Sequence, residues 1–132
     1  MEKLRVAAAT DDGENFVDRH FGDAEFFHVY DISPEGIEYI LAVENKTEEE
    51  EGHADPKKAK GIVGILKKQG VQVGLTRAFG PNIKRIKSKI VCVLTARKAV
   101  SDGLELIQEN YDTVVAEWDK GEDRHFLNLK RE

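Results

Sequence analysis

The sequence predicts an α/β protein with one mixed sheet of about five strands flanked by helices, and three observations support this fold class. Short apolar runs typical of buried strands recur along the chain. In the N-terminal part, two strand-like segments are separated by a short turn, which indicates an antiparallel hairpin. Farther along, strand-like runs alternate with segments of helical periodicity, which favours parallel pairing through helical crossovers.

The N-terminal part begins with a predicted strand and continues into the hairpin. Residues 4–10 are an apolar run that stops at the turn-forming residues 11–13. Residues 25–32 are rich in aromatic and β-branched side chains, which favour strands, and residues 37–44 form the predicted returning strand. Between them, residues 33–36 contain a proline and a glycine that suit a tight turn.

The rest of the domain alternates between helices and strands. Apolar residues at helical spacing, with lysines on the opposite face, predict an amphipathic helix that Asp55 and Pro56 begin and Gly70 ends. A later helix has Ser101 as a suitable N-cap. The predicted elements are a helix over 57–69, a strand over 71–76, a short helix over 80–87, a strand over 90–95 and a helix over 101–110.

The C-terminal segment has two possible structures. Residues 113–118 and 125–129 alternate enough between apolar and polar side chains to predict an extra C-terminal hairpin, and a frayed helix is the alternative. We expect residues 1–112 to form the main domain and residues 113–132 to be a C-terminal extension packed on it. A chain of 132 residues has a usual size for one domain.

Composition and charge limit the possible functions. The formal net charge of −5 argues against a general nucleic-acid binder, because such a protein needs a basic surface to neutralise phosphates. No apolar stretch approaches the length of a membrane span, and we expect no signal peptide because a strand-like run follows Met1 closely. The single cysteine, Cys92, excludes an internal disulfide. We therefore expect a cytoplasmic protein that binds neither nucleic acid nor a membrane.

Three stretches of the chain, residues 6–13, 20–32 and 57–83, carry a family resemblance in their order and spacing. Together they resemble the dinitrogenase iron–molybdenum cofactor biosynthesis family, which includes carrier and chaperone proteins for nitrogenase clusters. The resemblance covers residues 4 to 110 and implies a ribonuclease-H-like fold with a mixed five-stranded sheet. It also implies a role related to nitrogen fixation, in which the protein binds an iron–sulfur or iron–molybdenum–sulfur cluster or its precursor.

The family's His-Phe-Gly motif matches His20, Phe21 and Gly22. An imidazole is a good ligand for iron, Gly22 allows close backbone approach to a bulky ligand, and Phe21 could shield one side from water. The alternative is that His20 only hydrogen-bonds the loop backbone. His53 lies in an acidic loop and is a candidate second metal ligand, or else a solvent-exposed histidine.

The family's helix-opening turn matches Gly80, Pro81 and Asn82, shortly after Arg77. Backbone N–H groups at such a turn favour anions, and Arg77 adds a planar set of donors, although an ordinary strand–helix connection is the alternative. Cys92 lies in mid-strand, which predicts a buried structural residue, although thiolates are the preferred ligands of iron–sulfur clusters. One cysteine excludes a four-thiolate site within a single chain. A cluster must therefore arrive preassembled or be shared across a dimer.

These observations favour a non-catalytic protein that carries a metal–sulfur cluster between a donor and an acceptor protein, as a monomer or a homodimer. One alternative is a metal-free interaction or regulatory domain of the same fold. Another is a divalent-metal-dependent hydrolase, because nucleases of the ribonuclease-H-like fold bind Mg²⁺ through carboxylates. Such sites need acids that converge from several elements, whereas the four acidic residues of interest here share one loop: Asp11, Asp12, Asp18 and Asp23.

Overall fold

The computed structural model describes residues 3–46 and 60–130 and the backbone of residues 56–59. Within these residues a six-stranded sheet is flanked by helices on both faces. Two short 3-10 turns, Phe21–Asp23 and Gly121–Asp123, complete the fold. The strands and helices in chain order are β1 (Leu4–Thr10), β2 (Phe26–Ser33), β3 (Gly36–Glu44), α1 (Pro56–Lys68), β4 (Val73–Thr76), α2 (Ile83–Ile86), β5 (Val91–Leu94), α3 (Val100–Glu109), α4 (Tyr111–Asp119) and β6 (Leu127–Asn128).

The sheet is mixed, as the alternation of elements predicts. Its strand order is β3-β2-β1-β4-β5-β6. The pairs β1–β2 and β2–β3 are antiparallel, whereas β1–β4, β4–β5 and β5–β6 are parallel. The predicted hairpin of β2 and β3 is confirmed, and the sheet has one strand more than the sequence predicts.

The pairing register brings several strand ends to one edge of the sheet, which we call the carboxyl edge. Thr10 at the end of β1 lies opposite Phe26 at the start of β2. Thr76 pairs with Leu94, and Leu94 pairs in turn with Asn128. In open α/β sheets, ligands bind outside the carboxyl ends of the parallel strands. The loops at this edge are therefore where a site is expected.

Two apolar clusters fill the space between the sheet and its helices. On one face, Phe21 and Phe27 pack with Ile62 and Leu66 of α1. On the other face, the strands pack against α3 and α4, and Val114 of α4 is completely buried there. Burial on both faces explains why β1, β4 and β5 are continuous apolar runs.

The predicted C-terminal hairpin is wrong. Residues 113–118 lie in α4, and the only strand beyond them in the described part of the chain is the two-residue β6, parallel to β5. The physical reason is that Tyr111, Val114 and Trp118 recur at helical spacing and pack on the core, so the apparent alternation of apolar residues was one face of a helix.

Helix starts also differ in detail from the prediction. The residue before α3 is Ala99, with no side-chain cap, so Ser101 already lies inside the helix and does not cap it. The predicted cap at Asp55 lies outside the described residues. Among the described helices, none is long and apolar enough to cross a membrane.

Candidate functional site

Two loops meet at the carboxyl edge: residues 11–25, between β1 and β2, and residues 77–82, between β4 and α2. The N–H of Phe21 donates a hydrogen bond to the carbonyl of Ala78 at 2.7 Å and ties the loops together. The Phe21 ring is fully buried, with its centroid 4.9 Å from those of both Phe27 and Phe79. The middle residue of the His-Phe-Gly motif therefore anchors its loop in the core.

Gly74 of β4 makes this anchor possible. A Cβ atom at Gly74 would lie 3.0 Å from the tip of the Phe21 ring, which is tighter than ordinary contact.

Gly22 is buried as well, and its carbonyl accepts a hydrogen bond from Asn45 Nδ2 at 2.8 Å. Asn45 also donates to the Ala24 carbonyl, so it fixes the far side of the 3-10 turn. Sequence reasoning missed Asn45, which follows β3 with no motif around it.

His20 lies on the outer side of this anchor, and its side chain is 45% exposed. Its ring packs on Gly80, where a Cβ atom would be only 2.4 Å from Nδ1. The ring atoms nearest Gly80 are Nδ1, Cε1 and Cγ, so the edge that carries Nε2 faces away from that backbone. Gly80 has φ +76°, a conformation that favours glycine, so the site needs glycine there for both space and backbone geometry.

Arg77 is the first residue of the second loop, residues 77–82. Its Nη1 donates to Asp18 Oδ1 at 2.9 Å, and the Asp18 side chain is 87% exposed. Arg77 and Asp18 line a cleft of about 290 Å³ together with Ala78, Thr95, Ala96 and Lys130. The structure thus links the predicted Arg77 to the His20 loop, two residues before the histidine. It also adds Lys130, which sequence reasoning missed because the parallel β6 was not predicted.

The turn at residues 80–82 is less suited to anions than the sequence suggests. The helix that it opens, α2, has only four residues, and the Ile83 N–H donates to the Gly80 carbonyl. Asn82 is buried, its carbonyl accepts from Arg85 and Ile86, and Pro81 is half-buried. These residues shape the turn, and the positive charge beside it comes from Arg77.

The other candidate metal ligands are His53 and Cys92. His53 lies outside the described residues. Cys92 is completely buried in β5, and desolvation raises the pKa of its thiol far above the usual range, so the thiolate that binds metals is disfavoured. Among the described residues, no group of three or more His, Cys, Asp and Glu side chains is placed to hold a metal ion.

The acidic residues of the 11–25 loop stabilise the loop itself. Asp12 accepts hydrogen bonds from the N–H groups of Glu14 and Asn15, which lower the pKa of its carboxyl group. Asp11 accepts from Arg19 at 2.7 Å and from the Glu25 N–H at 2.8 Å. Since both carboxylates are engaged in bonds within the loop, their geometry gives no support to a divalent-metal-dependent hydrolase site.

Comparison with known proteins extends these observations. The sequence profile described as dinitrogenase iron–molybdenum cofactor matches residues 2–110. No curated protein sequence matches the chain.

Solved structures with a similar fold include two determined by NMR. An NMR structure of a candidate dinitrogenase from Methanococcus jannaschii has a TM-score of 0.60 and 20% identity, over 84% of this chain and 92% of that one. An NMR structure of a candidate NifB protein from Thermotoga has a TM-score of 0.57 and 22% identity, over 80% and 88% of the two chains. At these identities the likeness concerns the fold, and the profile match identifies the family. The chain belongs to the dinitrogenase iron–molybdenum cofactor family, as the three stretches of its sequence predict.

Proposed function

We propose that this protein binds a preassembled metal–sulfur cluster, of the iron–molybdenum-cofactor type or a precursor, at the carboxyl edge and carries it without chemical turnover. The observation that carries the proposal is the His20 ring, which packs on Gly80 with its Nε2 edge turned away from that backbone. Its loop is fixed by a fully buried Phe21. A ligand held in place before binding loses little conformational freedom when the cargo arrives.

The metal ligands that the protein offers suit the binding of a preassembled cluster better than the assembly of a new one. At the two loops of the site, the described residues offer one half-exposed imidazole, His20, and the single cysteine of the chain is buried, whereas assembly of an iron–sulfur cluster normally needs several thiolates. A cluster whose metals already have most of their ligands needs only one or two donors from the protein. His20 supplies one, and His53 is the proposed second. Arg77, in the loop that is hydrogen-bonded to the His20 loop, favours a negatively charged cargo.

The proposal also covers the partner proteins, the oligomeric state, the location and the domain organisation of the chain. The cluster comes from a donor protein and goes to an acceptor protein, with this chain acting as a monomer or homodimer in the cytoplasm. The strand order, two antiparallel pairs followed by parallel strands, supports the ribonuclease-H-like assignment. Burial of Val114 on the main sheet supports the proposal that residues 113–132 pack as an extension on the 1–112 domain.

The test is anaerobic uptake of isolated iron–molybdenum cofactor, and separately of a synthetic four-iron cluster, by the full-length protein. Binding is followed by visible absorption of the protein fraction after gel filtration. We expect His20→Ala to weaken uptake about tenfold or more, because it removes the metal ligand that the loop holds in place.

Two matched controls accompany this variant. His125→Ala removes an exposed histidine of the tail, and Cys92→Ala removes the buried thiol, so neither should change uptake. Uptake by His20→Ala equal to that of His125→Ala contradicts the role of His20. A wild-type protein that takes up neither cluster favours the metal-free interaction domain instead.

A further inference from the structure

The tail of the chain reaches the carboxyl edge, although it lies beyond residue 110, where the family match ends. Strand β6 runs parallel to β5, with Val93 paired to Leu127 and Leu94 to Asn128. The Leu129 N–H then donates to the Leu94 carbonyl at 2.8 Å. A parallel strand ends at the same edge as its neighbours, so the next residue, Lys130, lies beside the loops of the candidate site.

Lys130 and Arg77 line the same cleft of about 290 Å³. That volume is at the lower end of the range for ligand pockets, so it suits a small ion or a single functional group. Among the described residues, the third charged residue of the cleft is Asp18, 2.9 Å from Arg77 Nη1. In the described part of the chain, two basic residues therefore line this cleft with one acidic residue.

The carboxylate is the replaceable member of this group. Asp18 is 87% exposed and Arg77 is 32% exposed, and ion pairs in such positions contribute little stability. The contact engages one Nη atom of a guanidinium that has five N–H donors in a planar arrangement suited to oxyanions. An incoming anion can thus take the place of Asp18 at small cost.

We propose that this cleft is an oxyanion subsite, in which Arg77 and Lys130 bind a carboxylate or a tetrahedral oxyanion and Asp18 competes with it. The inference rests on the proposed function in one respect: the subsite would let the neighbouring His20 site select cargo that carries such a group. The residue that completes it, Lys130, comes from the extension, so the extension contributes to specificity as well as to packing.

The experiment is a ¹H–¹⁵N NMR titration of the metal-free, full-length protein at constant ionic strength. Inorganic phosphate is the probe in one arm, and malonate is the probe in the other, which distinguishes an inorganic oxyanion from an organic carboxylate. We expect saturable shifts at Arg77, Ala96 and Lys130 with at least one probe. We expect the dissociation constant to rise about threefold in Lys130→Gln and to fall about threefold in Asp18→Asn.

Two variants with the same changes in net charge serve as controls: Lys60→Gln on α1 and Asp102→Asn on α3, both at exposed positions. Equal dissociation constants for Lys130→Gln and Lys60→Gln, or for Asp18→Asn and Asp102→Asn, overturn the proposal, as does the lack of saturation with both probes. Because no cluster is present, this result is independent of the uptake experiment. A failure of cluster binding at His20 therefore leaves the titration result intact, and the reverse also holds.

Discussion

At the scale of single residues, the His-Phe-Gly motif places one aromatic side chain in the core and its histidine at the surface. The Phe21 ring is buried between Phe27 and Phe79, while the His20 ring on its outer side is half-exposed against Gly80. The sequence predicts His20, Phe21 and Gly22 as candidate site residues. It does not predict that Phe21 points inward, because the space that admits its ring comes from Gly74, on a strand distant in sequence.

Gly80→Ala tests whether the position of His20 matters. The new methyl group would overlap the imidazole, so the ring must move, and the backbone at φ +76° adds a penalty of about 1 kcal/mol. We expect lower cluster uptake together with a small loss of stability, measured by gel filtration after loading and by urea denaturation.

Gly121→Ala is the matched control for this prediction. Gly121 has φ +63°, and its added Cβ would have no neighbour within 4 Å, so this variant carries the backbone penalty without the contact with histidine. Its stability should fall by a similar amount while uptake is unchanged. Equal uptake by the two glycine variants would show that displacement of the His20 ring is unimportant.

At the scale of elements, Arg124 holds the tail against the sheet. Its guanidinium donates to the carbonyls of Trp118 and Ser88 and lies 4.2 Å from the centroid of the Trp118 ring. Glu117 also lies within this contact region, where its carboxylate accepts from the His125 N–H at 2.9 Å. These bonds connect the end of α4 to the segment that enters β6.

Arg124→Ala should lower the free energy of unfolding by about 2–3 kcal/mol, because it removes the charged donor of two part-buried carbonyls and the contact with the Trp118 ring. Urea denaturation measures this change. Arg85→Ala, at an exposed position of α2, is the control and should change stability by less than about 0.5 kcal/mol. A loss equal to that of the control would mean that the tail is held by its apolar contacts alone.

The same elements show why the sequence predicts the first part of the sheet better than the last. The β2–β3 hairpin depends on a local turn and is confirmed, whereas the pairing of β6 with β5 depends on distant contacts that Arg124 makes. In the six residues 113–118, apolar alternation and helical spacing are hard to distinguish. Residues that reach the site through such distant contacts, Lys130 among them, leave no local sequence signal.

At the scale of the whole molecule, four groups that titrate at acidic pH have lowered pKa values: Asp12, His28, Asp31 and Glu117. Hydrogen bonds from Asn15 and Glu14 lower the pKa of Asp12, a hydrogen bond from Arg5 lowers that of Asp31, and burial lowers that of His28. Burial tends to raise the pKa of Glu117, but the hydrogen bonds from His125 and Lys120 outweigh it, and the net pKa is lowered. Each group binds protons less readily when the chain is folded.

The sign of the pH dependence follows from these directions. When the unfolded chain binds more protons, stability falls as the pH falls. For His28 the loss begins below its ordinary pKa of 6.5, and for the carboxyl groups it begins near 4.5 for glutamate and 3.8 for aspartate. We therefore expect the free energy of unfolding to fall in two stages on acidification.

Urea denaturation between about pH 8 and about pH 3 measures both stages. His28→Gln should flatten the first stage and leave the second, because it removes the imidazole and none of the three carboxyl groups. Stability that rises on acidification through pH 6.5, or a first stage that persists unchanged in His28→Gln, would contradict this assignment.

Under the proposed carrier function, the anchoring of the loop by Phe21 affects how fast a bound cluster is released. Opening this loop would move a fully buried aromatic ring out of the core, at a cost of about 3 kcal/mol or more, so the loop opens rarely. A cargo bound through His20 should then leave by ligand exchange, in which a donor group of the acceptor protein replaces the imidazole directly. The rate of delivery should accordingly increase with the concentration of acceptor, since release does not wait for the carrier to open.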